Sequence, residues 1–159
     1  MLFRSGGKEA FIRRLDQNFD EKHYRHDNEP GHHYVYLYNY CNELGKTQQR
    51  IPGILASNYK NHPDGLSGND DCGQMSAWYL YTCLGFYPVT PASGVYALGI
   101  PNFDKATIQL PNNKTLTVLA KNRKQYTTMT NVRFNGKKLS SPFIQIKDLL
   151  KGGTLEFLP

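Results

Sequence analysis

The sequence predicts an α+β protein in which helices come first and an antiparallel, sandwich-like β segment follows. Three observations carry that expectation. Up to about residue 90 apolar side chains recur at helical spacing, as in Phe11, Ile12, Leu15 and Phe19. Beyond Pro88 the apolar runs are short, tend to alternate, and are separated by turn formers. Between VRF and KKL stands Asn135-Gly136, the pair that a tight hairpin demands. The change of character near Thr90 to Ser93 divides the chain into a helical unit, 1–90, and a β unit, 91–159.

In chain order, Gly7 to Phe19 reads as an amphipathic helix with Arg13, Arg14 and Asp16 toward solvent. The run HYVYLYNYCN from His33 to Asn42 alternates tyrosines like a strand. Pro30-Gly31 at its start and the neighbours Val35, Tyr38 and Cys41 favour a helix instead. Lys46 to Asn58 is a further helix that Pro52-Gly53 should kink or restart. Gln74 to Phe86 is apolar nearly all round, so this helix should be buried. Strand-forming runs follow at 95–98, 105–110, 114–121, 128–134, 142–146 and 154–157, with Asn112-Asn113 and Gly152-Gly153 as further turns.

A hydrophobic content of 39% with 13% aromatic residues marks a folded chain. Its net charge of +6 raises the question of a polyanion partner. The basic residues form only small clusters, Arg13-Arg14, Lys121 to Lys124 and Lys137-Lys138, with no recognition element around them, so no nucleic-acid partner is expected. Eleven tyrosines suit sugar contacts and semi-buried packing equally. Cys41, Cys72 and Cys83 have no metal-site or disulfide spacing, and Cys72, though beside Asp71, has no paired base in sequence. Met1 leads into LFRSGGKEAF, which lacks the apolar core of a signal peptide, and no stretch approaches the ~20 apolar residues of a membrane span.

The groups that carry chemistry fall in two polar loops. In Asp64 to Tyr79, DGLSGNDDCGQMSAWY, Gly68 and Gly73 flank Asp70 and Asp71 just before a helix. Upstream, residues 26–33 read HDNEPGHH, again ahead of an aromatic run. Two such loops point to one shared pocket. Asp70, Asp71 and Glu29 are the carboxylates from which the acid and the base of a glycoside hydrolase could be drawn, and adjacent aspartates would raise each other's pKa. The plainer reading has one aspartate capping the following helix and the other solvated. Asn28 and Glu29 offer the oxygens a hard cation such as calcium prefers, or else a turn in which a side chain bonds its own backbone. His32 and His33 are adjacent and point apart on a helix, which makes them a poor zinc pair; they are candidates for substrate contact, and the plainer reading places them in the core or on the surface.

Four segments in order, HDNEPGHHYVYLYNY, KTQ, PDGLSGNDDCGQMSAWYLYTCLGFYPVTPASGVYALGIPNFDKATIQLPNNKT and KGGTLEF, resemble the C-terminal part of family 92 glycoside hydrolases, from about Gly6 to Leu158. The resemblance implies a calcium-dependent exo-α-mannosidase that inverts the anomeric centre, with an N-terminal β-sandwich packed on an (α/α)6 barrel. Residues 1–90 would then be part of that toroid, and 91–159 the return to β structure. It puts the general base on the site loop, at Asp71 backed by Asp70, where Asn69 occupies a position that can hold an acid in other members. The Asn28-Glu29 pair matches the family's NEP motif and is implied to serve calcium and substrate. Family members are several times longer, so the chain is expected to be a fragment without the general-acid region, inactive alone, whose partners are a mannose-containing glycan and the N-terminal part of the enzyme. The parent enzyme would be periplasmic or extracellular. The alternative is a non-catalytic carbohydrate-binding module using the tyrosine-rich surface and the sheet.

Overall fold

The computed structural model describes residues 6–111 and 113–159; the opening residues 1–5 and Asn112 of the expected Asn112-Asn113 turn lie outside the described residues. Helix α1, Lys8–Asp20, buries Phe11 and Leu15 against Tyr38 and Cys41, as its apolar spacing requires. The tyrosine run forms a helix, Tyr34–Cys41, but of the tighter 3-10 kind. In that geometry side chains three apart eclipse one another. Val35, Tyr38 and Cys41 therefore make one buried row, and Tyr36 with Asn39 a second.

Helix α2, Leu44–Asn58, runs on through Pro52 without the expected restart. A proline removes the hydrogen bond to the carbonyl four residues back, at a cost of about 3 kcal/mol. Tertiary bonds from that same residue, Gln48, offset the loss. Its buried amide donates to the Gly99 carbonyl (2.8 Å) and the Met129 carbonyl (3.1 Å), and its Oε1 accepts from the Met129 N–H (2.7 Å). Asn39 likewise donates to the carbonyls of Leu98 (2.7 Å) and Pro142 (3.1 Å). Two buried amides thus pin the helices to the strands. Helix α3, Gln74–Cys83, buries Met75, Trp78 and Thr82, but Leu80 is 61% exposed, against the expectation of burial all round.

The strands form two sheets among the described residues. Strands β1 (Phe86–Tyr87), β2 (Val95–Leu98) and β7 (Phe143–Gln145) make a small antiparallel sheet in the order β1-β2-β7. The second sheet has the order β3-β4-β8-β5-β6, with β3 Lys105–Gln109, β4 Thr115–Leu119, β5 Asn131–Phe134, β6 Lys137–Lys138 and β8 Gly153–Leu158. The Asn135-Gly136 hairpin joins β5 to β6, with φ of +49° and +79° as a type I′ turn needs. One pairing corrects the all-antiparallel expectation: β4 and β8 run parallel, Leu116 opposite Gly153 through Leu119 opposite Glu156. The segment 120–152, which includes helix α4 (Ile146–Leu149), is long enough to carry the chain back to the same end of the sheet.

One core cluster draws on both parts of the chain, from Val35, Ile51 and Trp78 to Leu98, Val118, Leu155 and Phe157. Most aromatic rings are spent on packing; Tyr36 and Tyr38 are fully buried, and Tyr36 stacks on Tyr87 at 5.1 Å. No described helix is long and apolar enough to cross a membrane. The three cysteines are free, Cys41 and Cys83 buried and Cys72 exposed.

Candidate active site

The first polar loop rests on a floor of rings. His26 is 3% exposed, with Tyr24 Oη at 2.8 Å from Nδ1 and Tyr59 Oη at 2.7 Å from Nε2. Tyr59 donates to the Met75 carbonyl (3.1 Å), so the imidazole Nε2–H donates to Tyr59 and Nδ1 accepts from Tyr24. Burial pushes the His26 pKa down to about 3, which keeps the ring neutral. The edge of Trp78 meets His26 at 4.2 Å between centroids, and Trp78 lies parallel to Tyr59 at 5.9 Å. Above this floor Asn28 caps a single 3-10 turn, Glu29–Gly31, its Oδ1 accepting from the Glu29 N–H at 3.2 Å. Asp27 is taken by Arg25, which donates through Nε (3.1 Å) and Nη2 (2.7 Å).

The second loop closes against the first. A side chain at Gly68 would run into the backbone carbonyl of Asp27, so only glycine lets the two chains come this close. From there the backbone takes three consecutive left-handed steps, Asp71 (φ +46°), Cys72 (φ +59°) and Gly73 (φ +89°), before helix α3 begins. Left-handed backbone is strained for aspartate and cysteine, and such strain persists only where the surroundings impose it.

Here the carboxylates separate. Asp70 turns toward the helix, where its Oδ1 accepts from the Ser76 N–H (2.9 Å) and its Oδ2 from the Ser76 hydroxyl (3.1 Å). Asp71 is exposed and turns the other way, its carboxyl within hydrogen-bonding reach of Glu29. Hydrogen bonding to Glu29 and repulsion from its charge raise the Asp71 pKa, with Asp70 a lesser contribution. The same bond lowers Glu29. The carboxylates that shift one another most are therefore Asp71 and Glu29, across the two loops, rather than the adjacent aspartates. Glu29 Oε1 is buried and has no hydrogen-bond partner among the described residues.

The histidines divide as well. His32 is 1% exposed; its Nε2 donates to the His26 carbonyl (3.0 Å), Gln74 Nε2 lies 3.3 Å from its Nδ1, and its own carbonyl accepts from Trp78 Nε1 (2.9 Å). Both ring nitrogens are thus occupied within the chain. His33 is half-buried, edge-on to Tyr34 at 4.9 Å, and burial lowers its pKa. Sequence reading missed Gln74, whose amide also donates to the Tyr87 hydroxyl at 3.0 Å and so ties the start of α3 to strand β1. Its position directly after DDCG, at the first turn of a helix, was the available signal. A cavity of about 760 Å³ between α2 and α3 is lined by Tyr59, Lys60, Leu66, Ser76 and Tyr79 among others, but by neither Asp71 nor Glu29.

Residues 1–158 match the model of the glycosyl hydrolase family 92 catalytic domain. A secreted glycosidase of Arthroderma benhamiae, itself uncharacterised, is 30% identical over 155 residues, 95% of this chain and 20% of that protein. Two solved structures from Bacteroides thetaiotaomicron are close in shape. A family 92 α-mannosidase superposes with a TM-score of 0.88 at 43% identity, covering 96% of this chain and 21% of that one. It has also been solved in complex with mannoimidazole. A family 92 inverting mannosidase gives a TM-score of 0.86 at 30% identity over 97% of this chain and 24% of that one. The chain spans between a fifth and a quarter of the length of these relatives.

Proposed function

The chain belongs to glycosyl hydrolase family 92, and from that premise we propose that it supplies the base side of an inverting α-mannosidase site acting on terminal α-linked mannose of glycans. The observation that carries the reading is the Asp71–Glu29 pair. Inversion needs a carboxylate base that takes a proton from water as the water attacks the sugar. Asp71 is exposed, and the loop contact at Gly68 holds it beside a second carboxylate. In an inverting enzyme the acid and the base stand roughly 6.5–9.5 Å apart to admit that water. Glu29 is within hydrogen-bonding reach of Asp71, too near to be the acid. The chain spans only a fifth to a quarter of its relatives, and we place the general acid in the remainder of such a longer polypeptide, with the chain inactive alone. Residues 1–90 are read as part of an (α/α)6 barrel and 91–159 as the sandwich-like β segment beside it. The secreted relative supports a periplasmic or extracellular setting.

Calcium would suit Glu29, whose buried Oε1 has no hydrogen-bond partner among the described residues and is an oxygen of the kind a hard cation takes. Asn28 Oδ1 lies on the same turn, engaged to the Glu29 N–H. The described residues contain no group of three His, Cys, Asp or Glu able to hold a metal, so Glu29 and Asn28 give part of the six to eight oxygens calcium takes. Bound there, calcium would hold and orient mannose hydroxyls. His33 is the imidazole free to touch the sugar; His32 supports the loop from beneath.

The test is release of mannose from an α-linked mannoside. The 159-residue chain should release none, and a longer family 92 polypeptide that contains this segment should be active with calcium present. Asp71→Asn in that longer form should cut turnover by about 10²–10⁴-fold, the contribution of a positioned base. Robust turnover by the short chain would overturn the division of the site, and a fully active Asp71→Asn form the base assignment.

A further inference from the structure

The fate of Asp70 separates two residues that the sequence presents as a pair. All of its acceptor atoms are engaged inside the chain. Its carboxylate takes the Ser76 N–H at 2.9 Å and the Ser76 hydroxyl at 3.1 Å. Its backbone carbonyl takes the N–H of Gln74 at 2.7 Å and of Met75 at 3.3 Å. These bonds reach forward over Asp71, Cys72 and Gly73, the three left-handed residues, and close the loop onto the first turn of α3. Left-handed backbone costs roughly 1–2 kcal/mol for each residue with a side chain, so something must hold Asp71 and Cys72 there. Asp70 is the group that spans them.

We propose that Asp70 is a positioning residue: its clamp on Ser76 imposes the left-handed turn that throws the Asp71 carboxyl toward Glu29. This rests on the reading of Asp71 as the base, but concerns geometry rather than proton transfer. A clamp needs an acceptor facing the Ser76 N–H and a polar partner for its hydroxyl; it does not need a charge. Asparagine supplies both, Oδ1 for the N–H and Nδ2 for the hydroxyl oxygen, whereas alanine supplies neither.

The experiment is solution NMR on the chain itself. A residue with positive φ brings its own N–H and Hα close, and Asp71 and Cys72 should show the strong intraresidue cross-peak that follows. Asp70→Asn should keep the Asp71 cross-peak and leave exchange of the Ser76 amide within twofold of the parent chain. Asp70→Ala should lose the cross-peak and speed that exchange about tenfold, the scale of a lost helix cap. Should the alanine chain fail to fold, Ser76→Ala removes only the hydroxyl bond, and about a threefold rise in exchange is expected. The proposal is overturned if Asp70→Ala keeps the Asp71 cross-peak, if Asp70→Asn behaves like alanine, or if, with the alanine chain unfolded, Ser76→Ala leaves exchange unchanged. In the longer polypeptide Asp70→Asn should keep turnover within about tenfold, since a group that served by its charge would lose the 10²-fold or more of an acid or base. Asp71→Asn keeps the cross-peak, because asparagine accepts left-handed backbone, and should cut turnover by about 10²–10⁴-fold. A base assignment that fails therefore shows in turnover alone, and a clamp that fails shows in the spectrum.

Discussion

The two site loops solve opposite problems. In residues 26–33 nearly every polar side chain has a partner within the chain: Asp27 on Arg25, His26 between two tyrosines, His32 on a carbonyl and an amide. In residues 64–73 the proposed base stands in solvent on strained backbone, with Asp71 and Cys72 exposed and left-handed. The first loop is a rigid frame, and the second presents a carboxylate at its edge. Buried imidazoles serve a frame because, once neutral, they join hydrogen-bond chains without bringing a charge into the interior. Exposure would serve the proposed base role, since a general base must meet water.

The largest effect should come from separating the loops. In Gly68→Ala the new methyl group meets the Asp27 backbone, which cannot rotate away as a side chain would. A loss of roughly 2–4 kcal/mol is expected in a urea titration, typical of a steric clash that must displace backbone. If stability changes by less than about 0.5 kcal/mol, the loops are not held by that contact.

Next comes the frame's response to acid. His26 has a folded pKa of about 3 against an ordinary 6.5, so the unfolded chain binds the proton first. Its contribution is intact above pH 6.5 and is lost as the pH falls from there toward 3. By pH 5 the loss should reach about 2 kcal/mol from this ring alone, read from denaturation midpoints across pH. His26→Gln keeps polar partners for both tyrosine hydroxyls and should flatten that slope; an unchanged slope would assign the acid sensitivity elsewhere.

Smaller effects belong to the second loop. Cys72→Gly removes a side chain from left-handed backbone, and that relief outweighs the added freedom of the unfolded glycine, for a gain of about 0.5 kcal/mol in thermal melting. Smallest of all is the stability change for Asp71→Asn, with the denaturation midpoint essentially unmoved, because asparagine suits φ +46° and sheds repulsion from Glu29. A residue costly to turnover and nearly neutral to stability is what a presented catalytic group should look like. A clear drop in the midpoint would instead make Asp71 part of the frame.

Much of this architecture was legible in the chain because it is local. The row Val35, Tyr38 and Cys41 marked a helix of either kind, and Asn135-Gly136 fixed a hairpin because few residues tolerate its backbone angles. The two loops and their six candidate residues were visible as polar knots before apolar runs, and the ordered motifs placed the chain in its family. What stayed hidden needed parts distant in sequence to meet. The parallel pairing of β4 with β8 depends on where a long crossover returns the chain. Pro52 is carried inside α2 while the Gln48 amide bonds strand-side carbonyls far along the chain. Asp70 and Asp71 are chemically identical neighbours, so local pattern could not say which one caps a helix and which faces Glu29. Only the close approach of Gly68 to Asp27, and the Ser76 bonds that turn Asp70 away, decided it, because a carboxylate's role is set by the partners that folding brings within reach.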